Sequence, residues 1–438
     1  MKVYSLSSRS PEQPCHFHGC LRHALRVARW LGFFPVQGLG EIRPEGIRFK
    51  IKSFYSIYAV ATLLGQVMMS YFALLLFFQT EVTLSSISNI VFYVTSLITN
   101  ILLLKLAQQW PYLMTKAVET ERGLTELTLD HKVAGRSSVL AYLVMALAMV
   151  EHILCTSFNI KFVMYCLQEA GVTTNVMENY VVHRMPYIFN YIPYSFFSAI
   201  FFEYLCLQST FLWSFNDVII TCFSIYITAY FKTLNAVIAT NVKKDKDGIP
   251  WSILRVHYSN LVKLVKEIDD HISSLILLSF FTDLFYICLQ LFNSLHRNHV
   301  SFKYCDETQT NQALSSPFYL LYYLYSFVFL VLRALMLSLF ASNVHCAALE
   351  PVYSVYDVPS SVYDNEVRRF QLQLHYTEVG LSGKFFYVTR NMILKVVGTI
   401  ITYEIVLLQY SVTPNSYYNV STTIPSTIDN ATLLYTNT

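Results

Sequence analysis

The stretch TYEIVLLQY occupies residues 402–410 and ends the last long apolar segment of this chain of 438 residues. From Val396 to Thr438 the sequence contains no Lys and no Arg. Basic residues concentrate in the cytoplasmic connections of membrane proteins, so a segment that no basic residue follows is expected to run outward. Residues 385–410 are therefore predicted to form the final membrane crossing, followed by an extracellular tail at 411–438.

The composition of the whole chain agrees with a membrane protein. Hydrophobic residues make up 54% of the sequence and charged residues 13%, whereas about 25% of the residues of a soluble protein are charged. A helix needs about 20 mainly apolar residues to cross a bilayer. The sequence therefore predicts an all-α membrane protein with seven transmembrane helices, in the segments 54–78, 83–104, 137–167, 185–231, 272–295, 315–344 and 385–410.

The fourth of these segments is longer than a bilayer requires. As one helix, residues 185–231 would reach roughly 70 Å at about 1.5 Å per residue. No Gly or Pro lies between Tyr194 and Phe231 to allow a tight turn, so we expect a single helix that projects beyond the membrane. Residues 249–273 have an apolar stripe among charged residues, which is typical of an amphipathic helix. Together these features predict a cytosolic helical extension at about 213–272.

The distribution of basic residues predicts the orientation of the chain. Arg and Lys are frequent in residues 1–52 and in the second, fourth and sixth connections, and rare in the connections between them. The N-terminus is therefore predicted to be cytosolic and the C-terminus extracellular. The glycosylation acceptors Asn419 and Asn430 fall in the predicted outer tail. The predicted organisation is a cytosolic segment at 1–52, a six-helix ligand-binding bundle at 53–344, a cytosolic connector at 345–384 and a pore helix at 385–410.

Two groups of cysteine and histidine residues need separate interpretation. Cys166 and Cys305 both lie near predicted outer ends, so their positions allow a disulfide bond, although spacing alone does not define which cysteines pair. Near the N-terminus, the sequence CHFHGC at 15–20 contains side chains that could bind a metal ion. Its spacing matches no zinc module, and we expect a disordered cytosolic tail there and no metal site.

Polar side chains inside the predicted crossings indicate a binding site. Ionisable groups within membrane helices are costly and usually face protein or water. Carboxylates and amides can hydrogen-bond to two neighbouring hydroxyl groups, and aromatic rings can pack against the apolar face of a sugar ring. A pocket in the outer half of the bundle that combines them would match the buried hydroxyls of a polyhydroxylated ligand. The candidate ligand-binding residues are Glu151, His152, Asn159, Tyr194, Asp283, Tyr286, Gln290 and Tyr322.

A structural role is the alternative for these residues. Arg333 could form a buried ion pair with Glu203 or Asp283 that only holds helices together. Tyrosines are also frequent at the interface between a bilayer and water. For the group as a whole, we favour a ligand pocket.

The last helix is the candidate pore-lining element. At about 100° per residue, Gly398, Thr402, Ile405 and Gln409 fall on one stripe of this helix. A small residue, a hydroxyl, an apolar side chain and an amide suit a narrow and partly hydrophobic ion path. Alternatively, Gly398 and Thr402 permit close packing between helices. The sequence does not decide between these two interpretations.

Other classes of protein fit the sequence less well. It contains no Gly-rich phosphate-binding loop, nucleophile elbow or metalloprotease motif, so we expect no enzyme activity, no cofactor and no nucleic acid partner. A membrane transporter for a small polar solute usually has inverted repeats and interrupted helices, and the sequence has no evident internal repeat. A metabotropic seven-helix receptor has its N-terminus outside, which is opposite to the predicted orientation.

Three stretches of the chain resemble the insect gustatory receptor family. Residues 402–410 are similar to the family signature in the last helix, which has Thr-Tyr, mainly apolar residues, Gln and an aromatic residue. The aromatic residue is Tyr410 here, where the family usually has Phe. The stretches SFND at 214–217 and FPVQG at 34–38 resemble the sugar-receptor branch of the family.

This resemblance implies a sugar-gated, non-selective cation channel that acts as a sweet taste receptor in the plasma membrane. It also implies a homotetramer, or an assembly with related receptor subunits, in which the last helices surround a central pore. Gln409 and Tyr410 would occupy the gate, beside Thr402 and Ile405. Each subunit would bind a sugar in an outer pocket, and the cytosolic extensions would form a shared anchor.

Overall fold

The computed structural model describes residues 16–40, 46–79, 83–124, 127, 129–130, 132–243, 250–295 and 304–412. In these ranges the chain is mainly helical and has one small antiparallel sheet, formed by β1 (Val36–Gln37) and β2 (Arg48–Phe49). The helices are α1 (His16–Trp30), α2 (Phe54–Gln79), α3 (Leu84–Gly123), α4 (Lys132–Glu169), α5 (Val176–Arg184), α6 (Pro186–Phe189), α7 (Phe196–Lys243), α8 (Trp251–Leu295), α9 (Glu307–Leu314), α10 (Pro317–Leu349), α11 (Pro351–Tyr356), α12 (Asn365–Tyr376) and α13 (Arg390–Val412).

Six helices in the described part of the chain are long and apolar enough to cross a membrane. They are α2, α3, α4, α7, α8 and α10, the last continuing into α11, and their most apolar windows have mean hydropathies of 1.4 to 2.1. All six overlap the first six predicted crossings, so the chain is a mainly helical, multi-pass membrane protein. Helix α13 occupies the position predicted for a seventh crossing. The seventh crossing and the orientation remain predictions.

The longest helices confirm one prediction and correct another. Helix α7 is one uninterrupted helix of 48 residues, as the sequence predicted. The predicted fourth segment nevertheless begins too early, because Pro186 starts the short helix α6 and Pro193 precedes α7. A proline lacks the N–H that a continuous helix needs, and it restricts the residue before it. Ser195 and Ser198 then cap the start of α7, each accepting a hydrogen bond from the other's backbone N–H.

The two ends of the bundle differ in structure. At one end a disulfide bond joins Cys166, near the end of α4, to Cys305, just before α9. This bond confirms the pairing that the sequence allowed, and we call this end of the bundle the disulfide end. At the opposite end, α1 packs against α3, α4 and α7, where Ser137 near the start of α4 donates to the Cys20 carbonyl of α1 at 2.6 Å. We call it the α1 end.

Helix α1 contradicts the expected disordered N-terminal tail. Glu121 of α3 accepts hydrogen bonds from the backbone N–H groups of His16 at 3.2 Å and Phe17 at 2.8 Å, a position where the helix dipole favours a carboxylate. The Phe17 ring stacks on Trp110 with 5.5 Å between centroids. Apolar residues of α1 recur every three or four positions and are buried. This short helix forms because α3, α4 and α7 provide a surface for that apolar face.

The connector between α10 and α13 contains the short helices α11 and α12, and it packs at the α1 end. Tyr258 of α8 makes edge contacts with Phe231 of α7 and Phe370 of α12, with 5.8 Å and 5.5 Å between ring centroids. Arg255 of α8 pairs with Glu366 of α12 at 2.9 Å. Helices α7, α8 and α12 are thereby joined at this end by aromatic packing and a partly exposed ion pair.

Candidate ligand-binding site

A chain of polar side chains connects three of the long helices. Glu151 of α4 accepts a hydrogen bond from Ser326 of α10, with 2.8 Å between Oε1 and Oγ. Ser326 in turn accepts a hydrogen bond from Gln290 of α8, with 3.2 Å between Oγ and Nε2. Ser326 is buried, whereas Glu151 and Gln290 are partly exposed. The structure therefore joins two predicted ligand-binding residues through a serine that the sequence analysis missed.

Aromatic rings lie beside this polar chain. Tyr322 is one turn from Ser326 on α10, and its hydroxyl donates to the Cys155 sulfur of α4 at 3.4 Å. Its ring stacks on Phe158 with 5.8 Å between centroids and 12° between the ring planes. Because Cys155 is one helical turn from Glu151, the rings and the polar chain lie along the same faces of α4 and α10. We call this region the α4–α10 site, formed by Glu151, Phe158, Gln290, Tyr322 and Ser326.

An arginine from α5 lies next to the α4–α10 site. Arg184 Nη1 donates to the Cys155 sulfur at 3.3 Å, and Arg184 Nε lies 3.7 Å from Glu203 Oε1 of α7. The Tyr180 hydroxyl donates to the same carboxylate oxygen at 2.6 Å. The sequence analysis gave Arg184 no role in binding because it lies outside the apolar segments. Only the fold of α5 against α4 places it near this face.

Three other predicted residues contact different parts of the bundle. Asn159 continues the Glu151 face of α4 and donates to the carbonyl one turn before it at 2.8 Å. His152 points toward α7, where its Nδ1 lies 3.4 Å from the Thr210 hydroxyl, since adjacent helix residues point about 100° apart. Tyr194 lies between α6 and α7 and packs on Phe189, with 6.4 Å between ring centroids. Of the three, only Asn159 shares a face with the α4–α10 site.

Asp283 belongs to a separate cluster of buried charges. Arg333 Nε of α10 lies 2.7 Å from Asp217 Oδ2 of α7, and Arg333 Nη2 lies 3.2 Å from Asp283 Oδ1 of α8. None of these three residues is more than 4% exposed. The Trp213 indole N–H donates to Asp283 Oδ1 at 3.2 Å, and the Arg333 guanidinium stacks over the Trp213 ring. We call Asp217, Asp283 and Arg333 the charge cluster.

The charge cluster bears on the two interpretations of Asp283 given by the sequence. Arg333 pairs with Asp283, as the structural alternative expected, and also with Asp217. Glu203, the other expected partner of Arg333, pairs with Arg184 instead. Asp283 is 4% exposed, and its Oδ1 already accepts hydrogen bonds from the Arg333 guanidinium and the Trp213 indole. This geometry therefore favours a structural role for Asp283.

A small cavity lies between α3, α7 and α8, next to the charge cluster. The Tyr286 ring packs against Trp213 with 4.6 Å between centroids, and its hydroxyl donates to the Ser88 carbonyl at 3.0 Å. The cavity has room for about one water molecule. Its lining residues are Phe92, Thr95, Ser96, Thr99, Trp213, Asn216, Thr282 and Tyr286. Tyr286 therefore belongs to this cavity and not to the α4–α10 site.

The candidate pore residues lie on α13, which packs against α8 and α10. Thr402 donates to the Gly398 carbonyl within the helix at 2.9 Å, and Ile405 is 51% exposed in the single chain. The face predicted to line a pore is thus open to contact with other molecules. Gln409 and Tyr410 lie on α13 beyond the last described side chain, and Asn419 and Asn430 lie outside the described residues.

The arrangement of these helices matches that of a solved insect receptor. The fold resembles the structure of the insect olfactory receptor OR5 from Machilis hrabei in complex with eugenol, with a TM-score of 0.61 and 15% sequence identity. The match covers 90% of this chain and 99% of that chain. A second structure of OR5 gives the same TM-score at 14% identity. At this identity the likeness shows the fold alone, and it defines the class as a helical, multi-pass membrane protein.

Sequence comparisons define the family within that class. A family model described as trehalose receptor matches residues 8–416, and the chain belongs to this family, the sugar branch of the insect gustatory receptors. It is 30% identical over 402 residues to gustatory receptor for sugar taste 64f of Drosophila melanogaster, with 90% of this chain and 81% of that protein covered. It is 28% identical over 398 residues to gustatory receptor 5a for trehalose of the same species, with 90% and 85% covered. These comparisons confirm the resemblance found in the sequence.

Proposed function

We propose that this protein is a sweet taste receptor of the plasma membrane in which a bound sugar opens a non-selective cation pore. One relative is named as a receptor for sugar taste and another as a receptor for trehalose. These names support a sugar as the ligand. A receptor with the same fold has been solved in complex with a small molecule. The proposed ligand also has to fit the side chains of this particular chain.

The observation that carries the proposal is the α4–α10 site. A carboxylate, a hydroxyl and an amide form one hydrogen-bonded chain through Glu151, Ser326 and Gln290. Beside them, the stacked rings of Tyr322 and Phe158 provide an apolar surface. A sugar presents the same combination of hydrogen-bonding edge and apolar face, and its hydroxyls must be matched when they leave water. Glu151 and Gln290 are partly exposed in the single chain.

The predicted ligand-binding residues differ in how well the geometry supports them. Glu151, Gln290 and Tyr322 are the proposed direct contacts. Asn159 is a fourth contact, about two turns after Glu151 on the same face of α4. The roles predicted for His152, Tyr194, Asp283 and Tyr286 receive less support, because these side chains contact other parts of the bundle.

The proposed orientation places the disulfide end outside the cell. Disulfide bonds form and persist in oxidising compartments and are rare in the cytosol, so the Cys166–Cys305 bond supports that assignment. The charge distribution of the connections favours the same orientation. With α13 as the seventh crossing, the α1 end and residues 345–384 are cytosolic and the tail at 411–438 is extracellular.

The proposed channel is a homotetramer, or an assembly with related subunits, in which α13 helices surround the pore. The exposed face of α13 with Thr402 and Ile405 supports this arrangement, because it is free in the single chain to pack against helices of other subunits. Gln409 and Tyr410 would form the gate near the outer end. The extended parts of α7 and α8, at about 213–272, and the connector would form the anchor between subunits.

Voltage clamp of oocytes that express the chain tests this proposal. Applied sugars should evoke a prompt current that reverses near 0 mV, as expected for a non-selective cation pore. Gln290→Leu should weaken the sugar response, because it removes the amide from the polar chain. The matched control is Gln109→Leu, which changes an exposed amide of α3 away from the site.

Each alternative function predicts a different result in the same recording. A transporter would give uptake of radiolabelled sugar, and its current would not reverse near 0 mV. A metabotropic receptor would give a delayed current that depends on G proteins. If neither current nor sugar binding is detected for chains at the cell surface, the proposed function is wrong.

A further inference from the structure

The charge cluster contains more negative than positive groups. Two carboxylates, Asp217 and Asp283, flank the single guanidinium of Arg333, and all three are buried. Within a membrane bundle, buried charges are normally paired, because an uncompensated charge in a medium of low dielectric is costly. One carboxylate of this cluster is therefore left to be neutralised by something other than Arg333.

Two carboxylate oxygens of the cluster have no hydrogen-bond donor in the described part of the chain. One is Asp217 Oδ2, which lies 2.7 Å from Arg333 Nε in the ion pair, and the other is Asp283 Oδ2. Asp217 Oδ1 accepts a hydrogen bond from the Ser279 hydroxyl, and Asp283 Oδ1 accepts from Trp213 and Arg333. Asp283 Oδ2 is buried and accepts no hydrogen bond from any described residue. Asp283 does not itself line the neighbouring cavity, but it follows Thr282 and accepts from Trp213, and both of those residues do.

The wall of that cavity offers acceptors. The hydroxyls of Thr95, Thr99 and Thr282 donate to carbonyls of their own helices at 2.6 to 2.9 Å, which leaves their oxygen lone pairs available. Asn216 is 2% exposed and donates through Nδ2 to the Leu275 carbonyl at 3.0 Å. Its Oδ1 is buried without a donor among the described residues. A molecule in this space would therefore meet several oxygen atoms that can accept a hydrogen bond or contact a cation.

We propose that the cavity between α3, α7 and α8 binds a small monovalent cation, with sodium as the probe ion. Oxygen atoms are the ligands of hard cations, and the hydroxyls of Thr95, Thr99 and Thr282 and the amide oxygen of Asn216 provide them. The single excess carboxylate of the charge cluster supplies one compensating charge, which favours a monovalent over a divalent ion. A space for about one water molecule fits a dehydrated ion of that size. The site is separate from the α4–α10 site and does not depend on the proposed sugar response.

Thermal unfolding of the purified full-length protein tests this inference. The melting temperature is measured in sodium, potassium and N-methyl-D-glucamine chloride at equal ionic strength, so that screening of surface charges is the same in each. An ion that binds only the folded state should raise the melting temperature in a saturable manner. We expect a rise of about 3 °C or more in sodium relative to N-methyl-D-glucamine, and a smaller rise in potassium.

Variants of the cavity wall separate ion binding from general stability. Thr99→Val keeps the shape of the side chain and removes one oxygen, and Asn216→Leu removes the unpartnered amide oxygen. Both should lose most of the sodium-dependent rise. Thr115→Val is the matched control, because Thr115 lies on the same helix and makes the same hydrogen bond to its own backbone, at 2.9 Å, outside the cavity. If Asn216→Leu does not fold, Thr99→Val alone decides.

Two results would overturn the inference. The melting temperature could be the same in all three salts, or the sodium effect could persist in Thr99→Val. A melting temperature that varies with pH but not with the cation would show that a proton neutralises the cluster, and this also contradicts a cation site. Binding of radioactive sodium to wild type but not to Thr99→Val, in a scintillation proximity assay, would support it directly.

Discussion

The hydroxyl of Ser326 is the smallest group on which the proposed sugar site depends. It accepts a hydrogen bond from Gln290 and donates one to Glu151. The hydroxyl therefore sets the orientation of both side chains beside the Tyr322 ring. A sugar that binds the amide and the carboxylate needs them in these orientations, because an unmatched buried polar group costs about 1–3 kcal/mol.

We expect Ser326→Ala to raise the sugar concentration for half-activation by roughly tenfold, which corresponds to about 1.4 kcal/mol. The measurement is a dose–response curve, corrected for receptor at the cell surface. Ser338→Ala removes a buried hydroxyl further along α10 and should leave the curve unchanged. An unchanged curve for Ser326→Ala at normal surface expression would exclude this role.

Substitution of Arg333 tests whether the charge cluster stabilises the fold. Arg333→Met leaves two buried carboxylates without their guanidinium partner, and removal of one member of a buried ion pair costs about 3–5 kcal/mol. We expect loss of folded protein, measured by size-exclusion chromatography of a fluorescent fusion. Arg333→Met combined with Asp217→Asn should recover part of it. The control Arg369→Met changes a mainly exposed arginine of α12 and should leave the amount of folded protein unchanged. A wild-type amount of folded Arg333→Met would contradict the structural role.

Several polar side chains of the α4–α10 site and of the charge cluster could be identified from the sequence. The side chains that they contact could not. A carboxylate or an amide inside an apolar segment is visible as an exception to its surroundings, so Glu151, Asp283 and Gln290 could all be identified. Ser326 could not, since serine is common in membrane helices and gains its role only from its neighbours in space. The separation of Asp283 from Glu151 likewise depends on how α4, α8 and α10 pack.

At the scale of secondary structure, length and apolar composition predicted the long helices well. Helix α7 has no internal Gly or Pro, so its continuity followed from the sequence alone. Helix α1 was missed for a physical reason. A helix of 15 residues is marginal by itself, and its stability comes from α3, α4 and α7, which a local pattern does not reveal.

The turn that leads into α13 is attached to α8 by one carboxylate. Asp269 of α8 accepts hydrogen bonds from the backbone N–H and the hydroxyl of Ser382, both at 2.6 Å. Within this turn Lys384 has a φ of 68°, a left-handed conformation that is uncommon for residues other than glycine. Because α13 starts at Arg390, this attachment joins α8 to the segment that leads into the proposed pore helix.

Asp269→Ala should loosen this turn. Loss of two hydrogen bonds, each contributing about 1 kcal/mol, should speed amide hydrogen exchange in residues 380–389 by roughly tenfold or more. The measurement is hydrogen–deuterium exchange followed by mass spectrometry. Asp270→Ala, at the exposed neighbouring position, should leave the exchange unchanged. Equal exchange in Asp269→Ala and wild type would mean that other contacts hold the turn.

At the scale of the whole molecule, the proposed channel would be formed by several chains and not by one. Leu394, Ile401 and Ile405 of α13 are more than half exposed, and in a membrane this face contacts lipid or other helices. The sequence predicted helix α13 and the stripe of residues proposed to line the pore. It could not predict the number of subunits, because that number depends on the contacts between chains. The family resemblance implies four subunits, and that number remains a proposal.

The orientation of the whole chain can be tested with an epitope tag after Thr438. If the disulfide end and the tail at 411–438 are outside, the tag should be stained on intact cells. Treatment with a glycosidase should also shift the mass of the protein, and Asn419→Gln with Asn430→Gln should abolish the shift. A tag before Met1 is the control and should be stained only after permeabilisation. The reverse pattern would overturn the orientation and with it the outward course of α13.

Gln409 is the proposed gate residue whose exposure to water depends on the whole assembly. It shares a stripe of α13 with Thr402 and Ile405 at about 100° per residue. A narrow ring of amides and aromatic groups can close by excluding water and open by a small rotation of the helices.

Gln409→Cys should therefore react with a water-soluble thiol reagent applied from outside, and the reaction should block the current. The reaction should be faster in the presence of sugar. Glu404→Cys lies on a different face of the helix and should react slowly in both states, as should the parent chain. If Gln409→Cys is as unreactive as these controls while its sugar current is normal, this face of α13 does not line the ion path.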